Sequence, residues 1–269
     1  TDASARMHTR TAITNTGKQT QAAQLVSTIL DRQGRAVISW RSDLQIMPGK
    51  VYTDEQIHTV QHPLLWSVED PNLYTLRTEI YQQQHLLQKQ QSIFGIRSMQ
   101  FSAEKGFLLN GKSLKLKGGC YHNDNGPLGA VSYDRAEERR VELMKASGFN
   151  AIRCSHNPPP PAFLNACDRL GMLVIDEAFD MWKDAKNPYD YHLYFNDWWK
   201  RDIESMVLRD INHPSIMMWS IGNEIPGRDK PEVVAVARVL AAFFRSMASI
   251  RPVTSAVTQV VEAMDPYFS

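Results

Sequence analysis

Cysteine is scarce in this sequence. The three cysteines, Cys120, Cys154 and Cys167, are odd in number and form no C-x-x-C pair. This spacing suggests neither a disulfide framework nor a zinc site, so neither kind of cross-link is expected in the fold. We expect the three side chains to be buried free thiols.

Long apolar runs and an excess of charge of one sign are also missing. No apolar run approaches the roughly 18 residues of a membrane span, and the N-terminus lacks the apolar core of a signal peptide. The 30 basic and 29 acidic side chains give a net charge of +1 without a basic block. The hydrophobic content of 43% is ample for a packed core. The sequence therefore predicts a soluble globular protein whose partners include neither nucleic acid nor a membrane.

The first hundred or so residues show short strand-like segments separated by turns. Residues 31–34 are turn-like and separate the apolar segments 25–30 and 36–40. Apolar and polar residues alternate over residues 74–80, as they do in a half-buried strand. Short strands at this spacing predict an immunoglobulin-like β-sandwich over residues 1–103.

The remainder of the chain, residues 104–269, alternates between strand and helix patterns. Asp134 with Glu137 three residues later resembles a capping box, which predicts that a helix begins there. This alternation indicates parallel strands, in either a closed barrel or a doubly wound sheet. The expected strands are residues 114–120, 150–155, 173–176, 216–221 and 252–257.

Polar residues after successive strands favour the barrel. The phosphate-binding patterns G-x-G-x-x-G and G-x-x-x-x-G-K-[ST], which would support a doubly wound sheet, are absent. In a barrel the carboxyl ends of the strands form one rim that holds the active site. The polar residues at these ends are His122 and Asp124, Arg153 and His156, Asp176 and Glu177, and Asn223 and Glu224.

Five motifs stand out along this second part. They are Leu114-Lys-Leu-Lys-Gly-Gly-Cys-Tyr-His122, Ala151-Ile-Arg-Cys-Ser-His-Asn-Pro158, Val174-Ile-Asp-Glu-Ala178, Arg209-Asp-Ile-Asn-His-Pro-Ser215 and Trp219-Ser-Ile-Gly-Asn-Glu224. In their order and spacing they resemble the glycoside hydrolase family 2 enzymes. The stretch Lys186-Asn-Pro-Tyr-Asp-Tyr191 is similar to the bacterial β-galactosidase branch of that family.

The resemblance implies a multidomain protein with an immunoglobulin-like β-sandwich followed by an incomplete (β/α)8 TIM barrel, about strands 1 to 5. It implies a retaining, exo-acting glycosidase, most simply a β-galactosidase that hydrolyses terminal β-galactosides by double displacement. The partner would then be an oligosaccharide or glycoside substrate. A β-glucuronidase or β-mannosidase of the same family, and a carbohydrate-binding fragment without turnover, remain open alternatives.

The resemblance also implies roles for the rim residues. Glu224 would be the acid/base, and the Asn223 amide would donate to the sugar 2-hydroxyl. Arg153 would keep a nearby carboxylate ionised, form a structural ion pair with Asp176 or Glu177, or do both at once. The candidates for contacts with other sugar hydroxyls are His156, His122 and Asp124.

Magnesium is not expected, nor is any other cofactor. The better-known β-galactosidases of the family take magnesium ligands from a Glu-x-His pair shortly after the third-strand Asp-Glu. This chain reads Asp176-Glu-Ala-Phe-Asp-Met-Trp182 instead. Glu177 with Asp180 alone would be a thin basis for the oxygen-rich octahedral site that magnesium needs.

Two departures from the family pattern concern the ends of the chain. A jelly-roll domain would precede Thr1, which is not a Met, and the nucleophile of the seventh strand would follow Ser269. Glu262 is no substitute, because its segment reads as a connection leading away from the rim. These features predict an excised piece that is inactive alone. Its open barrel could associate with the missing part or form a homo-oligomer.

Overall fold

A computed structural model describes residues 3–248 and 250–258. The chain divides into two compact units, Thr1–Ser113 and Leu114–Ser269. Nowhere in the described ranges is there a helix with the length and apolar character needed to cross a membrane.

The first unit consists of antiparallel β-structure. Strands β1 and β4 pair in one sheet, and a second sheet has the order β3-β2-β5-β6. A small third sheet is formed by β7, β8 and β9. The strands are β1 (Ser4–Thr14), β2 (Gln21–Leu30), β3 (Ala36–Ile46), β4 (Val51–Gln61), β5 (Tyr74–Gln82), β6 (His85–Phe94), β7 (Met99–Ser102), β8 (Gly106–Leu109) and β9 (Lys112–Ser113).

The two larger sheets of this unit share an apolar core. Ile13 of β1 packs with Leu25 of β2 and Leu44 of β3, and Val60 of β4 packs with Ile29 of β2. Alternate side chains of a strand point to opposite faces, so each sheet turns one apolar face towards the other. The predicted β-sandwich is confirmed.

The second unit alternates parallel strands with helices. Its sheet has the order β10-β11-β12-β13-β14, with every neighbouring pair parallel. The elements are β10 (Gly118–His122), α1 (Asp134–Ala146), β11 (Ala151–Ser155), α2 (Pro161–Leu170), β12 (Leu173–Glu177), α3 (Phe195–Asp210), β13 (Ile216–Asn223), α4 (Pro231–Met247) and β14 (Val253–Ala256).

Strand order distinguishes the barrel from the doubly wound sheet. A doubly wound sheet reverses its strand order at a switch point, whereas a barrel adds each new strand beside the previous one. Here the five strands follow one another without reversal. The predicted partial TIM barrel is confirmed.

The first barrel strand starts later than the sequence pattern suggests. The Asn150 side chain accepts from the Lys117 backbone N–H at 2.7 Å and donates to the Lys115 carbonyl at 3.0 Å. Ladder pairing begins only at Gly118, opposite Ala151. The residues just before Gly118 are therefore held by the Asn150 side chain together with the Lys117 carbonyl, which accepts from the backbone N–H groups of Asn150 and Ala151.

The predicted capping box is wrong, although the helix does begin at Asp134. Its N-cap is Tyr133, and no side chain caps the helix. Glu137 is buried and accepts hydrogen bonds from the Tyr121 hydroxyl at 2.5 Å and from the Ser132 hydroxyl at 3.0 Å. The Glu137 carboxylate is therefore hydrogen-bonded to Tyr121 of β10, and it does not accept from the backbone at the start of the helix as it would in a capping box.

Two of the three cysteines are buried free thiols, as expected, but Cys120 is exposed. Neighbouring residues of β10 point to opposite faces of the sheet. Tyr121 packs in the apolar core, stacked on Phe163 of α2. Cys120 therefore lies on the other face, where it is the register partner of Arg153.

Candidate active site

The candidate residues lie where the parallel strands end. Arg153 is in β11, and His156 follows that strand directly. Glu177 is the last residue of β12, and Asn223 is the last residue of β13. Glu224 comes next. Because the carboxyl ends of parallel strands meet at one edge of the sheet, these side chains are brought together there.

An ion pair between Arg153 and Glu177 forms the centre of the site. Arg153 Nε donates to Glu177 Oε2 at 3.1 Å, and Nη2 donates to Oε1 at 2.8 Å. The Glu177 carboxylate is fully buried, and it also contacts His156 Nδ1 at 2.9 Å and accepts from Ser220 Oγ at 2.6 Å. Both oxygens of Glu177 are therefore engaged, with the guanidinium in the two-pronged geometry that favours a carboxylate.

This pair affects the charge of the guanidinium. Burial by itself would lower the pKa of Arg153. The hydrogen bonds and negative charge of Glu177 outweigh burial and hold that pKa above its usual range. Arg153 is thus a fixed positive charge at the edge of the sheet.

Asp176 does not belong to this cluster, although it was grouped with the rim residues by sequence. It precedes Glu177 in the same strand, so its side chain points to the opposite face of the sheet. It is fully buried, and neither carboxyl oxygen has a hydrogen-bond partner among the described residues. Burial, reinforced by the charge of Asp210, raises the pKa of Asp176 well above its usual value. Of the two acids considered as partners of Arg153, Glu177 is the one observed.

The Asn223 side chain is held at both ends of its amide. Its Oδ1 accepts from Arg153 Nη2 at 2.6 Å, and its Nδ2 donates to Asp180 Oδ1 at 2.9 Å. Lys186 Nζ lies 2.6 Å from the same Asp180 oxygen. Burial would raise the pKa of Asp180, but the hydrogen bonds from Lys186 and Asn223 lower it below its usual value.

Glu224 has a backbone conformation that is unusual for its residue type. Its φ is +46°, in the left-handed region that favours glycine, and its side chain is exposed. Such a conformation in a non-glycine residue costs about 1–3 kcal/mol and is found most often at functional sites. The carboxylate makes no hydrogen bond to any residue in the described part of the chain. Within the described residues it is therefore an exposed carboxylate that no other side chain engages.

A cavity of about 860 Å³ lies beside this cluster. Its lining includes His122, Asp124 and His156, so the structure brings these three predicted residues together. The rings of His122 and His156 meet edge to face, with centroids 5.1 Å apart. Arg153, Asn223 and Glu224 are not among the residues that line the cavity.

The carboxylates considered for magnesium are engaged by other groups. Glu177 is bound by Arg153, and Asp180 is bound by Lys186. In residues 3–248 and 250–258 there is no group of three or more His, Cys, Asp or Glu side chains that could hold a metal ion. Both carboxylates are thus already paired with cations, and the expectation of a metal-free site stays a prediction.

Comparison with known protein families identifies the chain. The model of the TIM barrel domain of glycosyl hydrolases family 2 matches residues 102–268. A second model, described as glycosyl hydrolases family 2, matches residues 1–97. The chain belongs to glycosyl hydrolases family 2.

Several family 2 proteins are similar to this chain. The β-galactosidase BoGH2A of Bacteroides ovatus is 44% identical over 215 residues, covering 80% of this chain and 25% of the relative. The crystal structure of a family 2 member from Bacteroides cellulosilyticus has 47% identity and a TM-score of 0.96, covering 100% of this chain and 35% of that one. A β-glucuronidase of Bacteroides uniformis has 29% identity and a TM-score of 0.86, covering 95% and 32%. The chain spans about a quarter to a third of these relatives.

Sequence reasoning missed two parts of this candidate site. Ser220 hydrogen-bonds Glu177, and Lys186 hydrogen-bonds Asp180. Lys186 and Ser220 both lie in stretches that carry the resemblance, residues 186–191 and 219–224, and this resemblance was the available signal. Glu262, which the sequence places in a connection away from the rim, lies outside the described residues.

Proposed function

We propose that this chain carries the acid/base part of a retaining, exo-acting β-galactosidase and acts together with further parts of a longer polypeptide. The observation that carries the proposal is Glu224. It is an exposed carboxylate, without a hydrogen-bond partner among the described residues, in a strained backbone position directly after a barrel strand. Family membership and the similarity to a β-galactosidase over 80% of the chain support this choice.

Glu224 suits the role of general acid and base. In the first step the acid protonates the departing glycosidic oxygen, and in the second the resulting carboxylate activates water. A group with this role needs a free carboxyl that can reach substrate. Glu177 and Asp180 are unsuitable, because Arg153 and Lys186 hold them as salt-bridged carboxylates.

The nucleophile is proposed to come from outside the described residues. Retaining glycosidases place their two carboxyl groups about 5–5.5 Å apart on opposite sides of the anomeric carbon. Arg153, whose charge is fixed by Glu177, would help to keep such an incoming carboxylate ionised.

Sugar binding is proposed for the remaining predicted residues. His122, Asp124 and His156 share one cavity, and their side chains can donate or accept hydrogen bonds to hydroxyls. Asn223 uses one Nδ2 hydrogen on Asp180 and keeps the other for the sugar 2-hydroxyl. That contact would strengthen as positive charge develops at the anomeric carbon.

A β-glucuronidase is the second candidate, because a β-glucuronidase of Bacteroides uniformis matches 95% of the chain. The cavity speaks against an anionic sugar. Its lining includes Asp124 and Asp202, which form no salt bridge with any described residue and would repel a uronate carboxylate. Asp180, which also lines it, is paired with Lys186. A neutral galactoside is therefore the better fit.

The test is a panel of nitrophenyl glycosides with the full-length protein and its Glu224→Gln variant. We expect the unmodified protein to prefer the β-galactoside over the β-glucuronide and β-mannoside. Glu224→Gln should lower kcat/KM by about 100-fold or more for poor leaving groups, and far less for activated aryl ones, which depart without protonation. Preference for the glucuronide or mannoside would show that the proposed galactoside substrate is wrong. Binding of a sugar without hydrolysis of any glycoside would show that the protein is not a glycosidase.

A further inference from the structure

The loop between β12 and α3 is built around a partly buried aspartate, Asp190. Asp190 Oδ2 accepts from the backbone N–H groups of Lys186 at 2.8 Å and Asn187 at 2.7 Å. Its Oδ1 accepts from the backbone N–H of His192 at 3.1 Å and contacts His192 Nδ1 at 2.5 Å. Burial alone would raise the pKa of Asp190, but these hydrogen bonds hold it well below its usual range. The backbone of Lys186 is therefore fixed.

From this fixed position the Lys186 side chain reaches the edge of the sheet. Its Nζ donates to Asp180 Oδ1 at 2.6 Å and to the backbone carbonyl of Asn223 at 2.7 Å. The Lys186 side chain is 21% exposed. One ammonium group thus contacts the acid that orients the Asn223 amide and also the main chain of Asn223.

The carbonyl that Lys186 binds belongs to the peptide group joining Asn223 to Glu224. The N–H of the same peptide group donates to the Ala256 carbonyl at 2.8 Å. A peptide plane held on both sides resists rotation about its flanking bonds. Glu224, with its left-handed φ of +46°, depends on the orientation of this plane. The strand ladder supplies one of the two restraints, and Lys186 supplies the other.

We propose that Lys186 is a positioning residue for the acid/base Glu224. It contacts neither the carboxyl of Glu224 nor, in this proposal, the substrate. It holds the peptide group that precedes Glu224 and the Asp180–Asn223 pair. The backbone of Glu224, from which its carboxyl extends, is thereby kept in one position at the edge of the sheet. The inference rests on the proposed function for its catalytic consequence, whereas its structural part does not depend on that function.

The kinetic test compares Lys186→Met with the unmodified full-length protein. A misplaced acid harms departure of poor leaving groups most, because these need protonation. We expect kcat/KM to fall about 10- to 100-fold for alkyl glycosides and less than about 3-fold for dinitrophenyl glycosides. Lys186→Arg, which keeps a cationic donor, should recover part of the loss. An equal loss for both leaving groups, or no loss, would overturn the proposal.

The matched control is Lys183→Met, in the same loop. Lys183 is exposed and lies outside the described site, so this variant should keep the parent's leaving-group dependence. It removes the same charge from the same loop. A matching loss in this control would show that loop charge, and not the contact to the Asn223 carbonyl, is responsible.

A second measurement is independent of activity. Hydrogen exchange of the Glu224 amide, resolved by mass spectrometry with electron-transfer fragmentation, reports on its bond to the Ala256 carbonyl. Exchange should be at least about 10-fold faster in Lys186→Met and unchanged in Lys183→Met. Unchanged exchange in Lys186→Met would refute positioning whatever the activity. Faster exchange in a protein that hydrolyses no glycoside would refute the proposed function alone.

Discussion

Asp176 and Glu177 are adjacent in sequence but have opposite surroundings. Glu177 faces the edge cluster, where it forms an ion pair with Arg153. Asp176 faces the core, where burial and the charge of Asp210 raise its pKa. The alternation of side chains along one strand therefore separates an ion-paired acid from one that folding favours in its neutral form.

The raised pKa of Asp176 predicts a pH dependence of stability. The folded protein keeps this proton at pH values at which the unfolded chain, with its usual pKa of 3.8, has released it. The contribution of this carboxyl to the free energy of unfolding is therefore full below about pH 3.8 and is lost as pH rises towards the folded pKa. Asp176→Asn should flatten the fall in stability above pH 4, as measured by urea unfolding at several pH values.

Asp180→Asn is the matched control for this prediction, with the opposite sign. The folded pKa of Asp180 is lowered, so its carboxylate contributes stability above the usual pKa, and that contribution is lost as pH falls. Asp180→Asn should weaken the pH dependence of the free energy of unfolding below the usual aspartate pKa of 3.8 and leave it unchanged at higher pH. If Asp176→Asn kept the parent's pH profile, the neutral form of Asp176 would not be the one favoured by folding.

At the scale of elements, the close approach of β10 and β11 depends on one glycine. Gly118 is paired with Ala151 at the start of the two strands. A Cβ added at Gly118 would lie 2.4 Å from the Ala151 carbonyl oxygen, which is backbone and cannot turn aside. At the next residue, Gly119, the nearest atom to an added Cβ is Phe149 Cε1 at 4.0 Å.

Gly118→Ala and Gly119→Ala therefore form a matched pair of variants. We expect Gly118→Ala to lower the free energy of unfolding by about 1–3 kcal/mol, because the strands must move apart. Gly119→Ala should change it by no more than about 0.5 kcal/mol. Urea unfolding of both variants measures the difference. Equal effects would show that the first barrel strand tolerates a side chain at its start.

Local signals predicted most of the elements, and long-range contacts explain the exceptions. Pro161, whose residue type suits the first turn of a helix, begins α2, and Gly171, in the left-handed conformation, ends it. The capping box failed because the Glu137 carboxylate bonds Tyr121, a partner on a different element. In the site, the sequence predicted that Arg153 lies at this edge of the sheet, but it left open whether Asp176 or Glu177 is its partner. The choice depends on which of the two side chains points towards Arg153, and this is seen only in the structure.

At the scale of the whole molecule, the barrel sheet is open within the described residues. Its outer strands, β10 and β14, each pair with one neighbour in that part of the chain. Unpaired strand edges bind other strands readily. The relatives are about three to four times longer than the region they share with this chain. Association of this edge with further barrel strands, or with a second copy of the chain, therefore remains our proposal for its partners.

The last prediction is that the 269-residue chain by itself does not hydrolyse glycosides. Double displacement needs a second carboxylate about 5–5.5 Å from the acid. Apart from Glu224, the acids linked to Asn223 among the described residues are Asp180, directly, and Glu177, through Arg153, and both are held by cations. An open sheet also admits water where a developing charge needs an enclosed, preorganised pocket. The measurement compares nitrophenyl galactoside hydrolysis by the 269-residue chain, with its mass verified, and by the full-length protein. Activity that Glu224→Gln abolishes would show that the chain supplies its own nucleophile.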